Sequence, residues 1–373
     1  MTRENIHINC PNCPNSFKSW LEGQENPEVL SEIDWENDFS DVKKVCVDPK
    51  QVVDYLNQVL ANKSVDYGQR KKFSNALPYV HAKSTFFKKD AEEVDIEHFI
   101  KQITAPPKNL INTNEKMLKS GGTNEFVYKT GLPAFRGIAY DIAHENFVYI
   151  NTCPGAGDCV LICYARKGRY IQYPNSYDSM TRRLNLLLNN PEKYEDQLYK
   201  EIKAKCIEHK ALEGYKAKVI LRWNDSGDFF TQKYVKIAES VKNKLKENGY
   251  NVEPYAYTKV AGVAKDAAVG VTSFSSGASK KETDKISKNQ KMSQMVPSSL
   301  FAGLDLMKIS DEQKLKRNIA TYFKIPLPNI ISYDELKSMP VGETPKWHVI
   351  VTPDGGDDPA WRKDVKTTLL TQH

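Results

Sequence analysis

The chain has 373 residues, of which 40% are hydrophobic, 27% charged and 10% aromatic, a composition that excludes a disordered or collagen-like chain. At roughly 150 residues per domain, this length predicts two domains or one large α/β barrel with an appendage. Residues 1–100 carry 12 basic and 17 acidic side chains, which gives this part a formal net charge of −5. Residues 101–373 carry 41 basic and 30 acidic side chains, which gives a net charge of +11. The basic body fits a nucleic-acid or nucleotide partner, although the same charge also serves solubility.

The first 105 residues are predicted to form a mostly helical and irregular region. Apolar residues at helical spacing predict helices over 52–60 and 94–103. Ala105-Pro106-Pro107 then ends the second helix. We therefore expect an N-terminal region, 1–105, followed by a separate α/β domain, 106–373.

Extended and helical patterns alternate after about residue 130. The predicted elements are a strand over 147–150, helices over 176–188 and about 191–212, a strand over 218–223, a helix over 231–247, strands over 252–257 and 270–274, a lysine-rich helix at about 280–290, and strands over 294–296 and 347–351. Such alternation predicts an α/β protein whose parallel sheet forms a partial or complete β/α barrel. No stretch approaches the roughly 18–20 uncharged apolar residues that span a bilayer, and no signal peptide is recognisable, so we expect a soluble, cytoplasmic protein without a membrane partner.

Three cysteines form the strongest chemical signal. The chain has seven cysteines, an odd number that argues against a disulfide framework. Cys153, Cys159 and Cys163 lie within eleven residues. Gly155 and Gly157 lie between the first two and let the backbone fold around a bound group. Three thiolates on one loop can hold a [4Fe-4S] cluster and leave one iron open for a cofactor such as S-adenosylmethionine. The alternatives are a zinc site with a fourth ligand from elsewhere, and buried thiols without metal.

The other cysteines carry weaker signals. His7, Cys10 and Cys13 are spaced as possible metal ligands, with Cys46 remote, so a zinc site at Cys10 and Cys13 is possible. Cys206 lies inside a predicted long helix and is expected to be a core residue.

Polar side chains follow three successive predicted strands. They are Asn224, Asp225 and Ser226 after the first, Tyr257 and Lys259 at the end of the second, and Ser273 and Ser275 at the end of the third. Working groups of α/β enzymes concentrate at the carboxyl ends of strands, so we expect these side chains to bind a cofactor, with Asp225 and Ser226 holding its ammonium or ribose hydroxyls. Asp228 is expected instead to cap the next helix.

Basic residues follow the third cysteine. Arg166, Lys167 and Arg169 are expected to contact a phosphate or carboxylate of the substrate.

Several motifs together resemble the phage "gene product 88" family. They are Asn114-Glu-Lys-Met-Leu, Leu132-Pro133-Ala134, Thr152-Cys153-Pro154-Gly155-Ala156, Cys163-Tyr164-Ala165-Arg166-Lys167-Gly168, and the segments 222–229, 255–259 and 273–275. The cysteine segment and the alternating pattern are in turn similar to radical S-adenosylmethionine enzymes, in which a partial barrel holds the cluster on the loop after its first strand. The spacing departs from that family, being Cys-x5-Cys-x3-Cys with Tyr164 after the last cysteine, where those enzymes have Cys-x3-Cys-x2-Cys with an aromatic residue before it.

The resemblance implies a phage-type iron–sulfur enzyme. Cys153, Cys159 and Cys163 would ligate the cluster, and S-adenosylmethionine would be cleaved reductively inside the barrel to a radical that attacks a nucleotide or a nucleic-acid base. The alternative is a non-catalytic nucleic-acid-binding or replication-associated protein with a structural zinc site.

Overall fold

The structure is a computed structural model that describes residues 44–61, 77–114, 117, 121, 124–166, 169–306, 308–352 and 359–371. Its strands are β1 (Lys44–Val47), β2 (Glu125–Lys129), β3 (Arg136–Asp141), β4 (Asn146–Asn151), β5 (Lys218–Trp223), β6 (Val252–Thr258), β7 (Val271–Ser275), β8 (Met292–Met295), β9 (Ile330–Ser332), β10 (Trp347–Val351) and β11 (Val365–Leu370). Its α-helices are α1 (Pro49–Ala61), α2 (Ile96–Ile103), α3 (Cys159–Ile162), α4 (Arg169–Gln172), α5 (Pro174–Asn189), α6 (Pro191–Glu213), α7 (Gln232–Glu247), α8 (Ala261–Lys265), α9 (Lys280–Thr283), α10 (Ile309–Phe323) and α11 (Tyr333–Lys337).

Eight strands form one parallel sheet in the order β2-β5-β6-β7-β8-β11-β10-β9. This confirms the predicted α/β class and parallel sheet. The order follows the chain from β2 to β8 and then runs backwards from β11 to β9. No ladder joins β2 to β9 among the described strands, and a barrel, partial or complete, stays a prediction.

The large sheet is buried on both faces. On β5, Val219, Leu221 and Trp223 belong to the main core, which also holds side chains of α5, α6 and α7; we call this the outer face. Ile220 points the opposite way, to an inner face where it packs with Trp361 of a short 3₁₀ turn. Burial on both sides explains the apolar runs of β5 and β10.

The N-terminal residues build a second, smaller sheet. β1 pairs antiparallel with β4, and β4 pairs antiparallel with β3. Helices α1 and α2, both predicted, pack on this sheet, where Leu56, Phe99 and Phe147 share one apolar cluster. The cluster thus combines residues from both sides of position 105, and the division of the chain at that position stays a prediction.

Two predicted elements differ in the structure. The strand over 147–150 exists as β4, but it lies in the small antiparallel sheet, so the β3–β4 hairpin is inserted between β2 and the cysteines. The predicted lysine-rich helix over 280–290 is only the four-residue α9, because residues 284–291 lack an apolar stripe at helical spacing.

Candidate functional site

The cysteine loop, residues 152–163, lies over the carboxyl ends of β6 and β7. Ala156 forms an antiparallel bridge with Ala278. The Gly157 and Cys159 amides both donate to the Gly277 carbonyl, at 2.9 and 3.2 Å. Backbone bonds therefore fix the loop to the segment that follows β7.

Glycines permit this close docking. A Cβ on Gly155 would overlap the Lys259 carbonyl oxygen, and one on Gly157 would lie 2.7 Å from the Ala278 carbonyl oxygen. Gly277 has a φ of +77°, and a Cβ there would lie 3.1 Å from the Cβ of Cys159. Gly155 and Gly157 therefore allow contact with the backbone after β6 and β7, and folding of the loop around a bound group stays a prediction.

The three thiols lie close together and are half-buried. Cys153 Sγ accepts a hydrogen bond from the Phe135 amide at 3.3 Å. A hydrogen bond from the Cys163 thiol, together with Lys259 and Arg166, lowers the pKa of Cys159 to about 6 in spite of its burial. Burial raises the pKa of Cys153 to about 12. Cys159 is therefore the thiol that ionises first.

Cations surround these thiols. The Lys259 ammonium hydrogen-bonds Cys159, and Cys159, Asp228 and Cys153 raise its pKa against the effect of burial. The guanidinium groups of Arg136 and Arg166 lie 4.4 and 5.5 Å from the centre of the Phe135 ring. Burial and the neighbouring Arg166 lower the pKa of Arg136 to about 10, while Cys153 raises it. Cations next to a thiol favour the thiolate, which is the form that binds metal.

The loop after β5 joins the cysteine loop to β6. The Asp228 amide donates to the Thr152 carbonyl at 2.7 Å. The Asp228 carboxylate accepts from Thr258 Oγ1 and from the Lys259 amide, each at 2.8 Å. Helix α7 is capped instead by Thr231, whose side chain accepts from the Tyr234 amide, so the predicted capping role of Asp228 was wrong.

Asp225 is enclosed by cations and phenols. Its carboxylate accepts hydrogen bonds from Lys129 Nζ and the Tyr170 hydroxyl, and Arg222 Nη2 lies 3.4 Å from its Oδ1. Burial alone would raise the pKa of Asp225, but Arg222 and Lys129 hold that pKa below its ordinary value. The Tyr164 hydroxyl donates to the Asp225 carbonyl. Two cations and a phenol therefore surround this carboxylate.

Three of the predicted site residues keep buried polar atoms without a partner. They are Asn224 Nδ2, Ser226 Oγ and Ser273 Oγ. Asn224 has a φ of 52°, and its Oδ1 accepts from the Tyr234 hydroxyl at 2.8 Å. Buried polar groups in proteins are almost always hydrogen-bonded, so these atoms are candidate contacts for a bound molecule or water.

The inner face of the sheet brings further predicted residues together. Tyr257 is paired in register with Ser273, and Ser275 with Ser293. The Arg222 guanidinium lies 5.1 Å from the centre of the Tyr257 ring. These strands therefore present polar groups below the cysteine loop.

The remaining predicted site residues are only partly described. Arg166 lies among the thiols, and its Nη1 donates to the Val160 carbonyl at 3.3 Å. Arg169 is the first residue of α4. Lys167, Cys10 and Cys13 lie outside the described residues.

The sequence prediction missed five residues of this site: Lys129, Arg136, Tyr164, Tyr170 and Arg222. Lys129 ends β2, and the same strand-end signal that identified Asn224 would have found it if β2 had been recognised. Nothing in the sequence pattern points to Tyr170, because its contact with Asp225 joins residues 55 positions apart.

Three thiols, the cations Lys259 and Arg166, and buried polar atoms therefore share this edge of the sheet. In the described part of the chain, no group of three or more His, Cys, Asp or Glu side chains is arranged to hold a metal ion. Ligation by all three cysteines would replace the Cys159–Cys163 hydrogen bond. Within the same residues, no helix is long and apolar enough to cross a membrane.

Comparison with known proteins gives one match. No curated protein and no solved structure matched the chain. The profile of the family described as gene product 88 matches residues 108–316, which is more than half of the chain and includes all three cysteines of the loop and the strand ends below it. The chain therefore belongs to the gene product 88 family.

Proposed function

We propose that this protein is an iron–sulfur enzyme in which Cys153, Cys159 and Cys163 hold a [4Fe-4S] cluster. The observation that carries the proposal is the meeting of three thiols with Lys259 and Arg166 at the carboxyl edge of a parallel sheet. Such a cluster would offer one open iron to S-adenosylmethionine and the electron for its reductive cleavage. The chain's own residues would set the charge and hydrogen bonding around it.

The residues around the thiols suit this role. Lys259 and Arg166 would offset the negative charge of thiolate ligands, and the Phe135 amide already donates to Cys153 Sγ. Hydrogen bonds to ligand sulfurs and local charge are the factors by which a protein tunes the potential of a cluster. The glycine contacts of the loop would hold the ligands against the sheet.

The cofactor would be bound by the strand ends. Asn224, Ser226 and Ser273 each offer a buried polar atom without a partner. Asp225 would act differently from the sequence prediction, since Lys129, Arg222 and Tyr170 already occupy its carboxylate. It would position Lys129 and Arg222 rather than hold an ammonium group.

The substrate would carry a negative charge. Lys129 at the end of β2 and Arg166 beside the thiols are cations that a phosphate or carboxylate group could contact. A nucleotide or a base in a nucleic acid meets this requirement and agrees with the basic balance of residues 101–373.

The proposal is tested by metal content. Protein purified without oxygen should be brown and contain about four iron atoms per chain, and Ala at Cys153, Cys159 or Cys163 should remove most of that iron, because each thiolate is one of three ligands. Cys206→Ala is the matched control, since Cys206 is buried in α6 within the main core. Colourless protein with stoichiometric zinc would overturn the cluster and support a structural zinc site. An equal iron content in all four variants would overturn the assignment of these three cysteines as ligands.

Cofactor binding has its own test. Ser226→Ala and Ser273→Ala should weaken binding of S-adenosylmethionine to the reconstituted protein by roughly 3- to 10-fold, the worth of one neutral hydrogen bond. Neither variant should lower the free energy of unfolding without the cofactor, because neither hydroxyl loses a partner. Ser240→Ala is the control, as that hydroxyl bonds Glu195 on α6. Unchanged affinity in both variants would exclude these serines from the cofactor site.

A further inference from the structure

A cleft of about 490 Å³ lies at the opposite, amino-terminal edge of the large sheet. It is lined by Pro326, Asn329, Thr344, Pro345, Lys346, His348 and Lys366. These residues precede or begin β9, β10 and β11. All of them lie beyond the residues that match the family, so nothing assigned to the family concerns this cleft.

Two lysines give the cleft its charge. Neither Lys346 nor Lys366 forms an ion pair with a carboxylate among the described residues. The nearby acids are already paired, Asp364 with Arg362 at 2.8 Å and Glu343 with Lys363 at 3.3 Å. Lys346 Nζ lies 4.2 Å from the centre of the Trp347 ring. Within the part of the chain that the structure describes, the cleft therefore holds two lysines without an ion-pair partner.

A buried histidine lines the same cleft. His348 is only 8% exposed, and its Nδ1 is buried without a hydrogen-bond partner. Burial and the nearby Lys366 lower the pKa of His348 to about 4, so the ring is neutral at physiological pH. A neutral imidazole offers one donor and one acceptor nitrogen. An orphaned buried nitrogen in a cationic cleft is the mark of a ligand atom that completes it.

We propose that this cleft binds the phosphate group of a small phosphate monoester. The two lysines match the charge of a phosphate dianion, and Thr344, Asn329 and His348 supply neutral hydrogen-bonding groups for its oxygens. A carboxylate would carry half that charge and fewer acceptor oxygens. The volume lies within the range of small-molecule sites, so the cleft also has room for the group that bears the phosphate.

The test is calorimetry on the full-length protein with inorganic phosphate, adenosine monophosphate and adenosine as probes. Phosphate and adenosine monophosphate should bind, and adenosine should not. Lys346→Gln and Lys366→Gln should each weaken binding by about tenfold or more, because each removes a charge-assisted contact. Lys236→Gln removes the same charge from an exposed residue of α7, outside the lining, and should leave the affinity unchanged.

A second readout follows the histidine directly. Binding should shift the nitrogen resonance of His348 Nδ1, and the shift should be lost in Lys366→Gln. The affinity should be equal in protein with and without iron, since the cleft and the cysteine loop lie at opposite edges, so this site stands or falls separately from the cluster. No binding at low ionic strength, equal binding of adenosine, or an equal loss in Lys236→Gln would overturn the proposal.

Discussion

At the scale of single residues, Asp228 is the side chain that joins the loop after β5 to the end of β6. It is 4% exposed, and burial raises its pKa from 3.8 to about 6, against hydrogen bonds from the Lys259 amide and Thr258. The native state therefore binds a proton at this carboxyl more tightly than the unfolded chain does. Its contribution to stability is complete below about pH 4 and is lost as the pH rises through about 6.

Asp228→Asn should remove this dependence on pH. Between pH 4 and pH 7 the free energy of unfolding of the wild type should fall by ~2–2.5 kcal/mol relative to the variant, from 1.36 kcal/mol per pKa unit and the part of the shift that this range covers. Urea denaturation of both proteins in metal-free, reducing buffer at several pH values measures the difference. A constant offset between the two curves would show that Asp228 titrates as it does in the unfolded chain.

The position of Asp228 could be predicted from the sequence, but its contacts could not. Strand-end position indicates that these polar residues share one edge of the sheet, because the strands are parallel. It did not predict which partner each side chain takes. Asp228 accepts hydrogen bonds from residues 30 and 31 positions away in the chain. A sequence pattern favours a local contact instead, in which the side chain caps the helix that follows it.

At the scale of elements, the decisive feature is the hairpin inserted between β2 and the cysteine loop. The strand over 147–150 was predicted from its β-branched and aromatic residues, and the structure confirms that it is a strand. Its sheet could not be predicted, because strand composition does not distinguish an antiparallel hairpin from a buried parallel strand. The sequence prediction missed β2, and it therefore missed Lys129 at the end of that strand. It also missed β11, because threonines and a lysine interrupt its apolar residues.

Docking of the cysteine loop on β6 should depend on Gly155. In Gly155→Ala the new Cβ would overlap the Lys259 carbonyl oxygen, a backbone atom that cannot move without disturbing β6. We expect the free energy of unfolding to fall by ~1–3 kcal/mol, as in other overpacked sites, and iron uptake to fall with it. Denaturation and iron content of the same preparation measure both effects.

Gly262→Ala is the matched control. Gly262 lies in α8, and a Cβ there meets no atom within 4 Å. The change should leave iron uptake unaltered and stability unchanged or higher by ~0.5–1 kcal/mol, since Ala is the better helix former. Equal behaviour of the two glycine variants would mean that the loop does not need its close contact with β6.

At the scale of the whole molecule, β4 connects the two cores. Phe147 and Tyr149 point into the N-terminal cluster, and Val148 and Ile150 point into the main core. Because successive side chains of a strand alternate between faces, one strand forms a wall of both cores. This connection is the reason that the change of pattern at Ala105-Pro106-Pro107 is a weak guide to whether the two parts fold separately.

The last prediction tests that connection with Phe99→Ala. Phe99 is fully buried, and its ring centre lies 5.7 Å from that of Phe86 and 6.3 Å from that of Phe147. Truncation of such a side chain costs about 3–5 kcal/mol. If the shared strand β4 makes the molecule one cooperative unit, the free energy of opening measured by hydrogen exchange at the β5 amides should fall by the same amount. This should happen although β5 belongs to the main core.

Independent folding gives the opposite pattern. The amides of α2 would then lose protection in Phe99→Ala while those of β5 kept theirs, because opening of the N-terminal part would leave the large parallel sheet intact. Equal losses at both places would instead mean that the site at the carboxyl edge is stable only while α1 and α2 cover the small sheet. Mutations in residues 44–105 would then lower iron content through stability alone, with no contact to the cysteine loop.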